Sequence, residues 1–110
     1  MGAADLAHAA PLFAALGDET RLALVARLCA GGPQSITRLA TGAGVTRQAI
    51  TKQLHALGEV GLVRDTRRGR ERIWELEPKR LEKARRCLDQ ISADWDTAIN
   101  RLKSIRGARG

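Results

Sequence analysis

Aromatic side chains are scarce in this chain, which has no tyrosine, one phenylalanine and two tryptophans among 110 residues. Proteins that grip single-stranded nucleic acid without sequence preference stack successive bases on aromatic rings. A sequence so poor in aromatics argues against that class. Catalytic sets are missing too, because we find neither a glycine-rich phosphate loop nor a Ser-His-Asp set. We therefore expect a protein that is not an enzyme and uses no cofactor.

Long apolar runs and secretion signals are also missing. No run of about 18 apolar residues occurs, so we expect no membrane-spanning helix. The first residues, MGAADLAHAAPLF, place no basic region ahead of an apolar core, as a secretion signal would. Two cysteines are too few for a secreted disulfide scaffold. We expect a cytoplasmic protein.

Positive charge is abundant and unevenly distributed. The chain has 19 Lys and Arg against 12 Asp and Glu, a formal net charge of +7. Residues 1–35 carry two basic and three acidic groups, residues 36–76 carry eight and four, and residues 77–110 carry nine and five. This distribution favours a polyanionic partner for the chain beyond residue 35, although solubility alone is the plain alternative.

The first half of the chain is predicted to form four helices. Residues 10–16 form a short apolar helix, and Asp18, Ser35 and Thr46 are expected to N-cap the next three. Gly42-Ala43-Gly44 is the predicted turn between the third and fourth helices. Apolar residues at helical spacing are expected to face the core, namely Leu22, Val25, Leu28 and Cys29, then Ile36, Leu39 and Ala40, then Val45, Ala49, Ile50, Leu54 and Leu57.

The outer face of the fourth helix carries a polar stripe without any carboxylate. Its members are Arg47, Gln48, Thr51, Lys52 and His55. Arginine suits a guanine edge, glutamine suits adenine, and threonine offers its hydroxyl or methyl group. A solvated face would explain any one of these residues, but it explains poorly why none of the 12 acidic residues is among them. The stripe, with the capping Thr46, predicts a helix that reads base edges in the DNA major groove.

A basic hairpin is predicted after this helix. Apolar residues flank the tip RRGR, in which Gly69 can adopt a positive φ, and these are Leu62, Val63, Ile73, Trp74 and Leu76. The hairpin carries Arg64, Arg67, Arg68, Arg70 and Arg72. The last four are predicted to contact DNA phosphates, and Asp65 and Glu71 to pair with some of the arginines. A solvated charged face is the alternative.

A long amphipathic helix is predicted to begin near Pro78. Its apolar positions alternate spacings of three and four, at Leu81, Ala84, Leu88, Ile91, Trp95, Ala98, Leu102 and Ile105. This repeat is typical of a coiled-coil seam. A helix of about 27 residues spans roughly 40 Å, which is more than one small globule covers. We therefore expect a homodimer.

Together these segments resemble the ArsR/SmtB group of bacterial winged-helix repressors. The resemblance rests on LFAALGDETRLALVARL, ITRLATGAGVTRQAITKQLHALGEVGLV and RRGRERIWEL, between Leu12 and Leu76. It implies one mainly helical, winged helix-turn-helix domain over residues 1–110, with a β-hairpin wing, the order α-α-α-α-β-β-α, and residues 1–17 and 78–106 as dimerisation helices. The implied dimer interface contains Leu12, Phe13, Leu81, Ala84, Leu88, Ile91, Trp95, Ala98 and Leu102.

The same resemblance implies that the fourth helix binds operator DNA, with Arg47, Gln48, Thr51 and Lys52 at the base-reading positions, until a small-molecule or redox signal releases it. Metal sites of the family are not matched. A Cys-x-Cys pair near the third helix is replaced by Gly32-Pro33-Gln34-Ser35, and residues 78–106 contain no histidine. We expect no metal site.

We therefore predict a sequence-specific, double-stranded DNA-binding transcriptional regulator that acts as a homodimeric repressor. Three alternatives remain open. The first is a sequence-neutral architectural DNA-binding protein, which needs the basic hairpin but not the polar stripe. The second is a winged helix that binds other proteins. The third is a thiol-redox-sensing repressor using Cys29 and Cys87, although both are more simply read as small buried residues.

Overall fold

The computed structural model describes residues 1–109 of the protein, and the side chains of residues 1–107. Helices and the strands of one small sheet follow one another along this part of the chain. The helices are α1 (Ala3–Leu16), α2 (Glu19–Gly31), α3 (Ile36–Ala40), α4 (Arg47–Glu59) and α5 (Pro78–Arg109). The strands are β1 (Gln34–Ser35), β2 (Val63–Arg68) and β3 (Glu71–Leu76). The predicted order is confirmed with one addition, the two-residue strand β1, which is too short to show any periodicity in sequence.

Helix starts follow the predicted caps. The side chain of Asp18 accepts a hydrogen bond from the Arg21 backbone N–H at 3.1 Å. Ser35 and Thr46 accept in the same way from the third residue beyond each of them, at 3.3 and 3.1 Å. α1 is longer than predicted, because it begins at Ala3 and not at residue 10. Pro11 therefore lies inside the helix, where the missing N–H removes one helical hydrogen-bond donor.

The end of α4 turns the chain into the sheet through a left-handed glycine. Gly61 has a φ of 76°, and its N–H donates to the Gly58 carbonyl at 3.0 Å. The Leu62 N–H donates to the Leu57 carbonyl at 3.1 Å. These two bonds form a Schellman motif, which satisfies carbonyls that the end of the helix would otherwise leave unpaired. The sequence predicts that Gly61 closes α4 as the residue directly after the helix end, because glycine adopts a positive φ without strain, and this prediction is confirmed.

The core lies between α1, α2, α3, α4, the base of the sheet and the start of α5. Its buried residues are Leu12, Ala15, Leu24, Val25, Leu28, Leu39, Ile50, Leu54, Leu57, Leu62, Val63, Trp74 and Ala84. Ile36 and Ala40 pack against this cluster, as predicted, and Ala49 is half-buried.

Three residues predicted to face the core are exposed. Leu22 and Val45 are 53% and 41% exposed, and Cys29 is also exposed. The inner face of α2 instead carries Leu24, and Arg21 lies on the same helical stripe, one turn earlier. Because Arg21 interrupts the apolar stripe that continues through Leu24, Val25 and Leu28, the sequence pattern placed the buried face about one-sixth of a turn away. Val45 precedes α4 and therefore does not share the facing of that helix.

The sheet has the order β1-β3-β2 and is antiparallel throughout. β2 and β3 form the wing, a hairpin joined by the two residues Gly69 and Arg70, with φ of 62° at Gly69. A positive φ at the first loop residue alone fits a type II′ turn. β1 pairs with β3 by placing Gln34 opposite Trp74, which ties the start of α3 to the wing.

Helix α5 packs against α1 near its beginning and then extends away from the core. Its 32 residues span about 48 Å at 1.5 Å per residue. None of the helices in residues 1–109 combines the length and apolar character needed to cross a membrane.

Candidate nucleic-acid interface

The outer face of α4 presents the predicted polar stripe. Arg47, Gln48, Lys52 and His55 are exposed, and Thr51 is half-buried. The Thr51 hydroxyl donates its hydrogen to the Arg47 backbone carbonyl at 2.8 Å. Of the contacts that the sequence allows this threonine, acceptance by its oxygen and contact through its methyl group therefore remain for a partner.

The beginning of α4 is open to solvent and carries positive potential. Thr46 is exposed and uses its side-chain oxygen as the cap, so it holds the helix end in shape. Arg47 and Gln48 occupy the first turn, where the helix dipole adds to the positive field. This geometry suits an anion such as a phosphate, or a base edge, at the tip of the helix.

The turn before α4 is held by an arginine of α2 that the sequence reading missed. Arg27 donates to the backbone carbonyl of Arg38 at 2.7 Å and to those of Leu39 and Thr41. These carbonyls lie at the end of α3, where helical partners run out. The guanidinium thereby fixes the approach to α4. No local sequence signal identifies this role, because the partners lie 11 to 14 residues away.

His55 lies at the junction between α4 and the wing. Its ring meets that of Trp74 edge to face, with the centroids 5.5 Å apart and an angle of 85° between the planes. Trp74 is buried, and its indole N–H has no hydrogen-bond partner among the described side chains. The imidazole therefore packs against the wing as well as facing solvent, so it joins the two basic elements.

Two of the wing arginines form ion pairs within the hairpin. Arg64 donates to Glu75 at 2.9 Å and to Glu77 at 3.0 Å. The hydrogen bond with Glu75, together with the negative charges of Glu77 and Glu75, raises the pKa of the Arg64 guanidinium. Arg72 pairs with Asp65 at 3.0 Å, as expected of that aspartate. Arg72 is therefore a weaker candidate for phosphate contact than the sequence suggested.

The tip of the wing keeps unneutralised charge. Arg67, Arg68 and Arg70 are exposed and form no ion pair within residues 1–107. Glu71 also forms none there, contrary to expectation, although it lies opposite Arg68. Three arginines around a two-residue turn thus make a compact cationic tip.

Strand alternation places part of this charge on the side of α4. Successive residues of a strand point to opposite faces, so Arg67 shares a face with Asp65. Trp74 lies opposite Asp65 on that same face and contacts His55 of α4. Arg67 and Arg72 therefore lie on the face that meets α4, whereas Arg68 lies on the other one. The tip can then contact a partner that also touches α4.

The predicted dimer residues fall into two groups. Leu12 and Ala84 are only 1% and 3% exposed and lie in the core of their own chain, so neither has surface left for a partner. The beginning of α5 is used by its own subunit, which also buries Cys87 and half-buries Phe13 of α1. Ala98 is exposed. Large exposed apolar residues continue along α5, at Leu81, Leu88, Ile91, Trp95, Ile99, Leu102 and Ile105.

Clusters that would hold a metal ion are not found in the described part of the chain, where no three His, Cys, Asp or Glu residues come together suitably. Cys29 and Cys87 are both free thiols, the first exposed and the second buried. The reading of Cys29 as a buried residue was wrong, for the reason given for α2 above.

Comparison with known proteins relates this geometry to a family. A family model of a helix-turn-helix domain matches residues 16–66. The HTH-type transcriptional regulator Rv2034 of Mycobacterium tuberculosis is 34% identical over 96 residues, which cover 87% of this chain and 86% of that protein. An ArsR-like transcriptional regulator from Rhodococcus sp. RHA1 is 42% identical, with a TM-score of 0.71, over 90% of this chain and 92% of the other.

A further solved structure is the homodimeric winged helix-turn-helix DNA-binding domain of Mb0332 from Mycobacterium bovis, a possible ArsR-family regulator. It is 28% identical, with a TM-score of 0.65, over 84% of this chain and 83% of that one. The proteins from Mycobacterium tuberculosis and Rhodococcus are described as transcriptional regulators, a class of proteins that are not enzymes, in agreement with the prediction from the sequence. This chain belongs to the ArsR family of winged helix-turn-helix transcriptional regulators.

Proposed function

We propose that this protein is a homodimeric repressor that binds a specific double-stranded operator through α4 and the wing. One observation carries the proposal. Arg47 and Lys52 on α4 and Arg67 on the wing are all exposed, and none of these three cations has an acidic partner among the described residues. A surface that keeps its cations unpaired in a chain with 12 acidic residues suits a polyanion.

Base reading is assigned to the first turns of α4. The major groove admits one helix, and the residues near its beginning meet base edges. Arg47 can form a bidentate contact with guanine, and Gln48 can do so with adenine. Thr51, with its hydroxyl hydrogen already donated, offers its methyl group to thymine or its oxygen to a base donor. Lys52, one turn further along, is a further base-reading candidate, and His55 is assigned to the groove edge.

Backbone contact is assigned to the wing tip. Arg68 and Arg70 flank Gly69 at the end of the hairpin, furthest from the core, where a long cation reaches a phosphate or the minor groove. Such contacts fix the register of a protein on DNA and carry little sequence information directly. In this proposal α4 recognises the bases and the wing contacts the DNA backbone.

Dimerisation is assigned to the exposed apolar face of α5. Trp95 is 65% exposed and Leu88 is 52% exposed in a single subunit. Contiguous exposed apolar surface of this kind marks an interaction site. A second copy is the proposed occupant because a similar domain is a homodimer, and two-fold symmetry lets two α4 helices read half-sites about 34 to 36 Å apart.

Repression is inferred from the family, whose members block transcription until a signal releases them. We place this activity in the cytoplasm, with no cofactor. The proposal differs from a sequence-neutral architectural role in one measurable respect, since only the repressor requires one preferred DNA sequence.

Selection of bound duplexes from random DNA, followed by titration, tests the function. A recovered two-fold symmetric sequence that binds far more tightly than its scrambled version is expected. Its log K should fall linearly with log salt, by about 0.9 for each neutralised phosphate. Binding without any recovered consensus would favour the architectural alternative, and a flat salt dependence would contradict DNA binding.

A matched pair of triple variants localises the surface. Arg67→Gln, Arg68→Gln and Arg70→Gln together should weaken binding and flatten the salt slope. Arg101→Gln, Lys103→Gln and Arg106→Gln remove the same charge from exposed positions far along α5 and should change both much less.

A further inference from the structure

One arginine of α2 connects α1 with α4. The Nε of Arg21 donates to the backbone carbonyl of Ala15 at 2.6 Å, and its Nη1 donates to Oε1 of Gln53 at 2.9 Å. Ala15 lies in the last turn of α1, and Gln53 lies in the middle of α4. A single side chain thus joins two helices whose contact residues are 38 positions apart in sequence.

The chemistry of this link is directional. The Ala15 carbonyl is among the last four of α1, which have no N–H partner within their own helix. Guanidinium donors lie in a rigid plane, so two bonds made by one group fix the relative direction of both acceptors. The bonds are part-buried and charge-assisted, which strengthens them relative to neutral ones at the surface.

The helices that Arg21 joins have different proposed roles. α1 packs against α5 and α2, so it belongs to the layer through which the two subunits would meet. α4 packs against α2 and α3 and is the proposed reading helix. The angle of α4 relative to the α1–α5 layer determines how far apart the two reading helices lie in a dimer.

We propose that Arg21 is a positioning residue that holds α4 at a fixed angle to α1, and thereby sets the half-site spacing that the dimer accepts. This inference rests on the proposed function. Its physical basis is geometric, because one added base pair displaces a half-site by about 3.4 Å along the DNA and rotates it around the axis. A rigidly held α4 cannot follow that change, whereas a loosened one can.

The plain alternative is that Arg21 only stabilises the fold. Loss of its bonds would then lower the free energy of unfolding without changing which operators are preferred. The preference of the dimer for one half-site spacing distinguishes the two roles, because the stability of the core does not determine this preference. Operators that differ only by one base pair more or less between the half-sites provide that measurement.

We would measure binding of the wild type and variants to this operator series, at a temperature where circular dichroism shows every protein folded. The wild type is expected to prefer one spacing. Arg21→Lys keeps the charge but loses the planar fork, and its discrimination between spacings should fall about tenfold. Gln53→Ala should give the same loss, and the double variant should lose no more than either single one, because both act through one contact.

Two further variants serve as controls. Leu28→Val weakens the core at another residue of α2 and should lower stability while leaving the spacing preference unchanged. Gln53→Glu keeps an acceptor for Arg21 and should retain the preference of the wild type.

Opposite outcomes would overturn the inference. If Arg21→Lys and Gln53→Ala lose stability as Leu28→Val does but keep the wild-type spacing preference, Arg21 is only structural. A wild type that binds a single half-site and every spacing equally would instead overturn the proposed dimeric reading of DNA, and the role of Arg21 with it.

Discussion

Arg67 and Arg72 lie directly opposite each other in β2 and β3, so two guanidinium groups share one face of the wing. Asp65 pairs with Arg72 at 3.0 Å, whereas no acidic group pairs with Arg67 in the described chain. Like charges in opposed cross-strand positions destabilise an antiparallel pair. We therefore expect Arg67 to lower the stability of the free wing, as a cation kept for an anionic partner would.

Removal of that cation should therefore have opposite effects on folding and on DNA binding. Arg67→Gln should raise the free energy of unfolding of the free protein by about 0.2 to 1 kcal/mol, measured by urea titration. It should also weaken binding to every duplex. Arg64→Gln is the contrasting variant, because it removes the ion pairs with Glu75 and Glu77 and should lower stability. An Arg67→Gln protein that is less stable than the wild type would contradict the proposed repulsion between Arg67 and Arg72.

Mutations should distinguish base recognition by α4 from phosphate contact by the wing. Arg47→Ala should cost about 1 to 3 kcal/mol on the operator and relax the base preference at one position of each half-site. Arg68→Ala should weaken operator and scrambled duplex more evenly and reduce the salt slope by about one for each lost contact. Titration of both variants on both duplexes provides the comparison. Equal weakening of both duplexes by Arg47→Ala would make Arg47 a phosphate anchor, and base reading would pass to Gln48, Thr51 and Lys52.

The apolar face of α5 should carry the dimer. Trp95→Glu places a charge in the centre of that face and should yield a monomer in sedimentation, with loss of operator binding. Ala93→Glu adds the same charge at an exposed position on the opposite side of the helix and should leave the dimer intact. A Trp95→Glu protein that stays dimeric would move the interface elsewhere.

Replacement of Gly58 by alanine should stabilise the protein. A Cβ there would meet only the Val63 carbonyl oxygen at 3.8 Å and Trp74 Cζ3 at 4.0 Å, which are ordinary contacts. Gly58→Ala should therefore raise the free energy of unfolding by about 0.5 to 1 kcal/mol, since glycine loses more freedom in a helix. Gly61→Ala is the control, with a φ of 76° and a Cβ that would approach Arg80 Nε to 3.0 Å, and it should destabilise. Thermal unfolding of both variants measures the two signs.

Zinc or cadmium should not release the protein from its operator, since the family's metal ligands have no counterparts in the sequence. Binding measured with added metal and with a chelator checks this, and release reversed by the chelator would refute it.

Peroxide provides a separate test of the thiol alternative. Release of the wild type but not of a Cys29→Ser, Cys87→Ser variant would make redox sensing the better account of the signal.

The sequence by itself determined the features that depend on neighbouring residues. Asp18, Ser35 and Thr46 each cap a backbone N–H three residues away, and Gly61 closes α4 through bonds that span a few residues. The outer stripe of α4 likewise follows from helical periodicity, which places residues on one face whatever packs behind them. Local rules were sufficient for these elements because the interactions that form them are themselves local.

Only the tertiary structure decided which partner each residue contacts, where the sequence offers several residues of the same type. Arg72 pairs with Asp65 while Arg67 does not, and only the register of β2 and β3 distinguishes them. The bond from Arg21 to Gln53 and the pairing of Gln34 with Trp74 join positions 32 and 40 residues apart, beyond the reach of any local pattern. The same packing put Leu12 and Ala84 inside their own subunit and left the rest of α5 exposed, because burial depends on which surfaces meet in three dimensions.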